Sequence, residues 1–199
     1  MSMERRALTT PLEVRADSGA RTITGYAAVF NTETDIGGYF RERIAPGAFA
    51  EAIKGDVRAL FDHDSAHVLG RTKSGTLRLE EDERGLKIEI DLPDTQTARD
   101  LAASMERGDI DGMSFGFEVL KQTWDETSGD IPLRTVEEVR LHEVSVVTFP
   151  AYADTEVALR SMDDAREEAK RRAEHNRLNA EARIAERKAQ AEQKFRKIA

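Results

Sequence analysis

Glycine and proline stop abruptly in this chain. All five prolines lie at or before Pro150, and twelve of the thirteen glycines fall between Gly25 and Gly129, the other being Gly19. Residues 161–199 contain neither. These two residue types punctuate regular structure, so residues 1–160 must be short elements joined by turns, whereas the remainder can run on without a break. Charge divides at the same place: of the net −8, residues 161–199 carry +3 and residues 1–160 carry −11. The chain reads as an acidic, turn-rich body with a mildly basic tail. Its 199 residues leave room for one domain with a real core and that appendage.

Within the body, apolar residues recur mostly at period two. Residues 22–30 (TITGYAAVF) are β-branched and aromatic after a Ser-Gly turn. TLRLE and LKIEIDL alternate on either side of a turn-like EDERG, a hairpin signal, and residues 114–120 and 136–149 alternate again. Two segments carry helix signals instead: residues 47–54 after Pro46, and residues 95–107, which run from a cap at Asp94 or Thr95 to Gly108. The expected class is α+β, mainly β, with antiparallel sheet and a few helices packed on it. The tail is a mixture of Ala, Glu, Arg, Lys and Gln. Its apolar stripe is thin, with Ile184, Phe195 and Ile198 on one side and Leu178 off that line. Such a segment is either a charged helix, free or partner-binding, or disordered.

The absence of cysteine removes disulfides, thiolate metal sites and cysteine nucleophiles. No apolar run approaches the roughly 20 residues that span a bilayer, and MSMERRALTT lacks the apolar centre of a signal peptide. A soluble cytoplasmic protein is expected. The acidic balance speaks against a nucleic-acid partner, which calls for clustered Lys and Arg.

Three segments can carry chemistry. Gly112-Met113-Ser114-Phe115-Gly116 spells G-x-S-x-G, the nucleophile elbow of α/β-hydrolases. That elbow needs a strand before its serine and a helix after it, and here a helical pattern precedes and strand-like alternation follows. Ser114 is therefore either the first polar residue of a strand or a nucleophile of another fold. In ALFDHDSAHVLGRT, an apolar run delivers His63 into polar surroundings. His63 and His67 are four apart, which suits a metal only on a helix, and no helical context is present. A lone imidazole acting as general base, or a plain surface histidine, remains open. In RLHEVSVVTFPA, a regular strand would point His142 and Glu143 to opposite faces, with Glu143 alongside Leu141, Ser145 and Val147. A buried carboxylate there would need a hydrogen-bond donor such as an imidazole N–H.

Together these segments resemble the prohead protease family of tailed bacteriophages, a family of serine peptidases. The similarity spans residues 20–160 and runs in order through GYAAVFNT, RIAPGAFAEAI, ALFDHDSAHVLGRT, GDIDGMSFGFEV and LHEVSVVTFPAYADT. It implies an antiparallel β-barrel surrounded by a few helices, as in the distantly similar herpesvirus assembly proteases. It also implies an N-terminal arm at 1–20, a protease domain at 21–160 and a charged helical or disordered tail at 161–199. Carried onto this sequence, it makes His63 the general base, Ser114 the nucleophile and Glu143 the third member, with His142 as the alternative because the herpesvirus relatives use a second histidine. His67 receives no role, and no cofactor or metal is required. The implied partners are the major capsid protein with its scaffolding segment, the protease itself through autocleavage, and a second copy in a homodimer, with neither nucleic acid nor membrane. The implied location is the host cytoplasm, inside the immature procapsid. The rival expectation is a non-catalytic assembly protein that keeps a protease-like body.

Overall fold

A computed structural model describes residues 3–17, 20–127, 129–150 and 155–196. The chain divides into two compact units, residues 1–158 and 159–199. The first unit contains eleven strands among its described residues: β1 (Glu4–Thr9), β2 (Glu13–Asp17), β3 (Ala20–Val29), β4 (Thr34–Ile36), β5 (Phe40–Ile44), β6 (Arg58–Phe61), β7 (Asp64–Arg71), β8 (Leu77–Glu81), β9 (Gly85–Asp91), β10 (Gly112–Asp125) and β11 (Leu133–Val147). Helix α1 (Gln96–Glu106) precedes β10, and α2 (Thr155–Arg196) follows β11.

The strands form two sheets. In one, β2, β3, β9 and β8 lie in that order, all antiparallel. In the other, β1-β10-β11-β5-β4 forms the main path, while β6 joins β11 further along and carries β7. β11 is thus parallel to β5 over Leu133–Val136 and parallel to β6 over Glu143–Val146. The long β10–β11 hairpin is interrupted at Gly116/Phe117, Val119/Lys121 and Lys121/Gln122. Such bulges bend a ladder. The bend brings the far half of the hairpin, with β5, back toward β1, so that Arg6 Nε of β1 donates to Glu42 Oε1 of β5 at 2.6 Å. β1 and β5 meet there through side chains and not through backbone pairing. The sheets are not closed into the expected barrel among the described residues.

Between the sheets lies the core. Phe115 and Phe117 of β10 stack at 4.9 Å, and Phe49 meets Phe115 edge-on at 5.7 Å. Ile23, Leu86, Ile88 and Ile90 face them from the β2-β3-β9-β8 sheet, all fully buried. Truncating one of these aromatics to alanine costs about 3–5 kcal/mol.

Phe49 explains a departure from the helix expected at 47–54. That stretch is a series of turns ending in a 3-10 helix, Ala52–Lys54. Gly47 opens it at φ +90°, outside the helical region, and the turns press Ala48 and Phe49 into the core. The second expected helix forms: Thr95 caps α1 by accepting from the Ala98 N–H, and Gly108 follows its end at φ +79°. The TLRLE/LKIEIDL hairpin is β8–β9.

The other unit is helical. α2 extends for 42 residues, with i,i+3 and i,i+4 ion pairs such as Lys170–Glu167 and Arg177–Glu181. Leu178 and Ile184 are more than half exposed. The side chains of Phe195 and Ile198 lie outside the described residues, as does the segment at 151–154 that ends the last family-like motif.

Candidate active site

The GMSFGF stretch is a strand whose two faces have different tasks. Met113, Phe115 and Phe117 enter the core, while Gly112, Ser114 and Gly116 lie on the opposite face. In the ladder Ser114 stands opposite Ser145, and Gly116 stands opposite Glu143. The glycines are there for space. A Cβ on Gly112 would come within 2.8 Å of the Val147 carbonyl and 2.9 Å of Pro150, and one on Gly116 within 2.5 Å of Glu143 Oε1. G-x-S-x-G here is a strand pattern with a cleared face, and not a strand-to-helix elbow.

Near the site, β11 departs from simple alternation at His142. Gly116 pairs with Glu143, but the next residue, Phe117, pairs with Leu141, which leaves His142 as the extra residue of a bulge. Leu141 therefore joins the core with Val144 and Val146, and does not share the face of Glu143 as regular alternation had implied. His142 is set outside the ladder, in a shallow pocket with Glu51, Asp56 and Arg140. Its Nε2 lies 3.2 Å from Glu118 Oε1, yet the alignment is too poor for a hydrogen bond.

His63 is delivered by a hairpin. β6 and β7 are joined by Asp62 and His63 alone, at φ 47° and 60°. Two left-handed residues in a two-residue loop make a type I′ turn, and Asp and His tolerate that conformation better than most side chains. Because β6 runs beside β11, the tip of this hairpin reaches the end of β11. There the Asp62 carboxylate accepts from Thr148 N at 2.7 Å and Thr148 Oγ1 at 2.9 Å, and the Asp62 N–H donates to the Val146 carbonyl. The turn is thereby locked in place.

From this position His63 Nδ1 lies 2.6 Å from Glu143 Oε1. With an ionised carboxylate as acceptor, Nδ1 is the donor of this contact, and in the neutral imidazole Nε2 then keeps its lone pair. The second oxygen of Glu143 accepts from Ser145 Oγ at 2.6 Å. Glu143 and Ser145 are buried, and 19% of the His63 side chain is exposed. Ser114, at 2% exposure, sits on the same face, directly across the ladder from Ser145. No hydrogen bond joins Ser114 to His63 among the described residues. Such contacts commonly tighten only when substrate binds.

The structure thus brings His63 and Glu143 into contact on the face that bears Ser114, and sets His142 apart. His67, the second histidine of the segment, pairs with Asp64 at 3.1 Å on an exposed part of β7. Sequence reading missed Ser145, Gly116 and the Asp62–Thr148 clamp. The alternation of GMSFGF held a signal for the second of these, since three small residues on one face announce something bulky above them.

A serine, an imidazole with a free ring nitrogen and a buried carboxylate on one face are the equipment of a serine protease. The sequence comparisons agree. The chain belongs to the caudovirus prohead serine protease family, whose pattern it matches over residues 10–168. It is 34% identical over 160 residues to the prohead protease of Enterobacteria phage HK97, covering 77% of this chain and 67% of that protein. The capsid assembly protease of bacteriophage T4 aligns with a TM-score of 0.47 at 13% identity, covering 72% of this chain and 98% of the other.

Proposed function

We propose that this serine protease cleaves the major capsid protein and its scaffolding segment inside the immature procapsid, and then itself, with Ser114, His63 and Glu143 as its catalytic residues. The observation that carries the site assignment is the His63–Glu143 contact at 2.6 Å on the face that holds Ser114. As Ser114 Oγ attacks the scissile carbonyl, its proton passes to His63 Nε2. Glu143 stabilises the imidazolium and keeps the ring in the required tautomer. The same proton then goes to the leaving amine as the C–N bond breaks. Water, deprotonated by His63, releases the acyl group and regenerates the serine. Backbone N–H groups are the expected oxyanion donors.

Ser114 is nearly enclosed, so a peptide reaches it only after some displacement of its surroundings. A slow catalyst suffices in this setting. Enclosure in a shell with its substrate, in the host cytoplasm, raises effective concentration enough to offset a low rate constant. The basic α2 tail is the segment we assign to docking on capsid or scaffold protein, and a homodimer accords with the similarity to herpesvirus proteases.

The test is incubation of the purified protein with the capsid protein made alongside it, with mass spectrometry of the products. Wild type yields discrete fragments, and Ser114→Ala yields none while keeping its circular dichroism spectrum. Undiminished cleavage by Ser114→Ala would defeat the site assignment. Failure of the wild type to cut would favour a non-catalytic assembly role.

A further inference from the structure

Glu143 has two carboxylate oxygens, and each has a different partner. Oε1 faces His63 and Oε2 accepts from Ser145 Oγ, both at 2.6 Å. Ser145 has no exposed surface, and its hydroxyl is aimed along its own strand at the residue two before it. A buried carboxylate oxygen without a donor is costly. A carboxylate with one oxygen tied down also cannot rotate about its terminal bond without losing a charge-assisted hydrogen bond.

We propose that Ser145 is a positioning residue of the catalytic array, holding the outer oxygen of Glu143 so that the inner one stays on His63. This rests on the catalytic reading given above. Ser145 does not itself attack substrate. Its proton is committed to Glu143, it makes no hydrogen bond to the His63 ring among the described residues, and it is more enclosed than Ser114. The open space at Gly116 completes the arrangement from the other side, since that is where Oε1 lodges. The serine of E-V-S is thus explained by the glutamate two residues before it. One strand face carries both the orienting acid and the group that orients it.

The test uses the full-length protein and a fluorophosphonate probe, which forms a bond to an activated serine with loss of fluoride and reports how well the base is poised. The second-order labelling rate is measured for wild type, Ser145→Ala, Glu143→Gln and the double variant, with the labelled residue located by mass spectrometry. Ser145→Ala is expected to label Ser114 about tenfold more slowly or worse, as loss of a hydrogen bond to a charged group implies. Adding it to Glu143→Gln is expected to change little, because the two act through one contact. Ser145→Cys, which keeps the shape but offers a weak donor, should fall with the alanine variant. Labelling of Ser145→Ala at the wild-type rate overturns the proposal. So does an equal slowing in both backgrounds, which would mark a general packing defect. Complete loss in Ser145→Ala with the probe found on Ser145 in wild type would make Ser145 the nucleophile and also overturn it. Failure of the underlying reading looks different: Ser114→Ala would label as fast as wild type at an unrelated site.

Discussion

Gly116 and Glu143 stand opposite each other on β10 and β11, and a Cβ on Gly116 would lie 2.5 Å from Glu143 Oε1. That oxygen is the one in contact with His63. The backbone at Gly116 is not left-handed, so glycine is required here for room and not for conformation. The obstructing atoms belong to the Glu143 carboxylate, which is buried and held by Ser145 as well as by His63, so relief of the clash displaces it from those partners. Gly116→Ala should therefore cost about 1–3 kcal/mol of stability, the scale of a disturbed buried hydrogen bond, and lose about 100-fold in kcat, the scale of a 1 Å misplacement in an active site. Thermal unfolding and capsid-protein cleavage, measured on the same preparation, check both halves. Cleavage at the wild-type rate would mean that the Glu143 position is irrelevant to turnover.

The neighbouring residues of β11 should respond in opposite ways. Glu143→Gln leaves an amide where a carboxylate orients the imidazole, and a change of that kind costs on the order of 10⁴ in kcat in a related arrangement. His142→Ala removes a ring that the bulge has placed in another pocket, beside Glu118. Its rate should stay within a few-fold of wild type. If the two variants exchanged these outcomes, the third member of the triad would be His142.

The contrast between these two residues shows what the sequence could and could not disclose. Period-two alternation marked β8, β9, β10 and β11, β-branched and aromatic composition marked β3, and caps marked α1, because those signals are local. Alternation also suggested that Glu143 and His142 part company, but for the wrong reason at Leu141. A bulge is set by the partner strand, and nothing in LHEVS alone declares it. The segment at 47–54 has helical composition, yet burial of Phe49 overrode propensity. His63 and Ser114 were legible through family resemblance. Their supports were not, because Asp62, Gly116 and Ser145 acquire meaning only once β6, β10 and β11 lie side by side.

Asp62 provides a test of how the hairpin aims its histidine. It accepts twice from Thr148, but it is exposed, so the stability at stake is roughly 1 kcal/mol. Asp62→Ala removes both bonds to Thr148, leaving only the backbone bond to Val146, and also removes a residue suited to φ 47°. We expect a small fall in melting temperature and a loss of activity far larger than that fall implies. Asp62→Asn, which tolerates the left-handed region and keeps one acceptor, should retain most of the rate. Equal activity in all three proteins would show that His63 finds Glu143 without the clamp.

Away from the site, four charges meet in the interior: Glu4, Arg6, Glu42 and Arg134, two of each sign and all nearly buried. Arg134 donates to both carboxylates at 2.8 Å, and Arg6 joins the same two, so the cluster fastens β1 to β5 and β11. Burial by itself would raise the pKa of Glu4. Hydrogen bonds and charge from Arg134, then from Arg6, outweigh it and hold Glu4 below its ordinary value of 4.5. A carboxyl with a depressed folded pKa contributes stability that is present above its unfolded value and is lost as pH falls through the folded one. The wild type should therefore lose urea resistance on acidification below about pH 4.5. Arg134→Met leaves two buried carboxylates to a single arginine and should cost about 3–5 kcal/mol at pH 7. In that variant burial dominates at Glu4 and its pKa rises, so protonation relieves the defect. The stability gap between the two proteins should narrow as pH is lowered from 7 toward 4. Urea midpoints across that range decide the matter, and a gap that stayed constant or widened would mean that Glu4 does not depend on Arg134 for its charge.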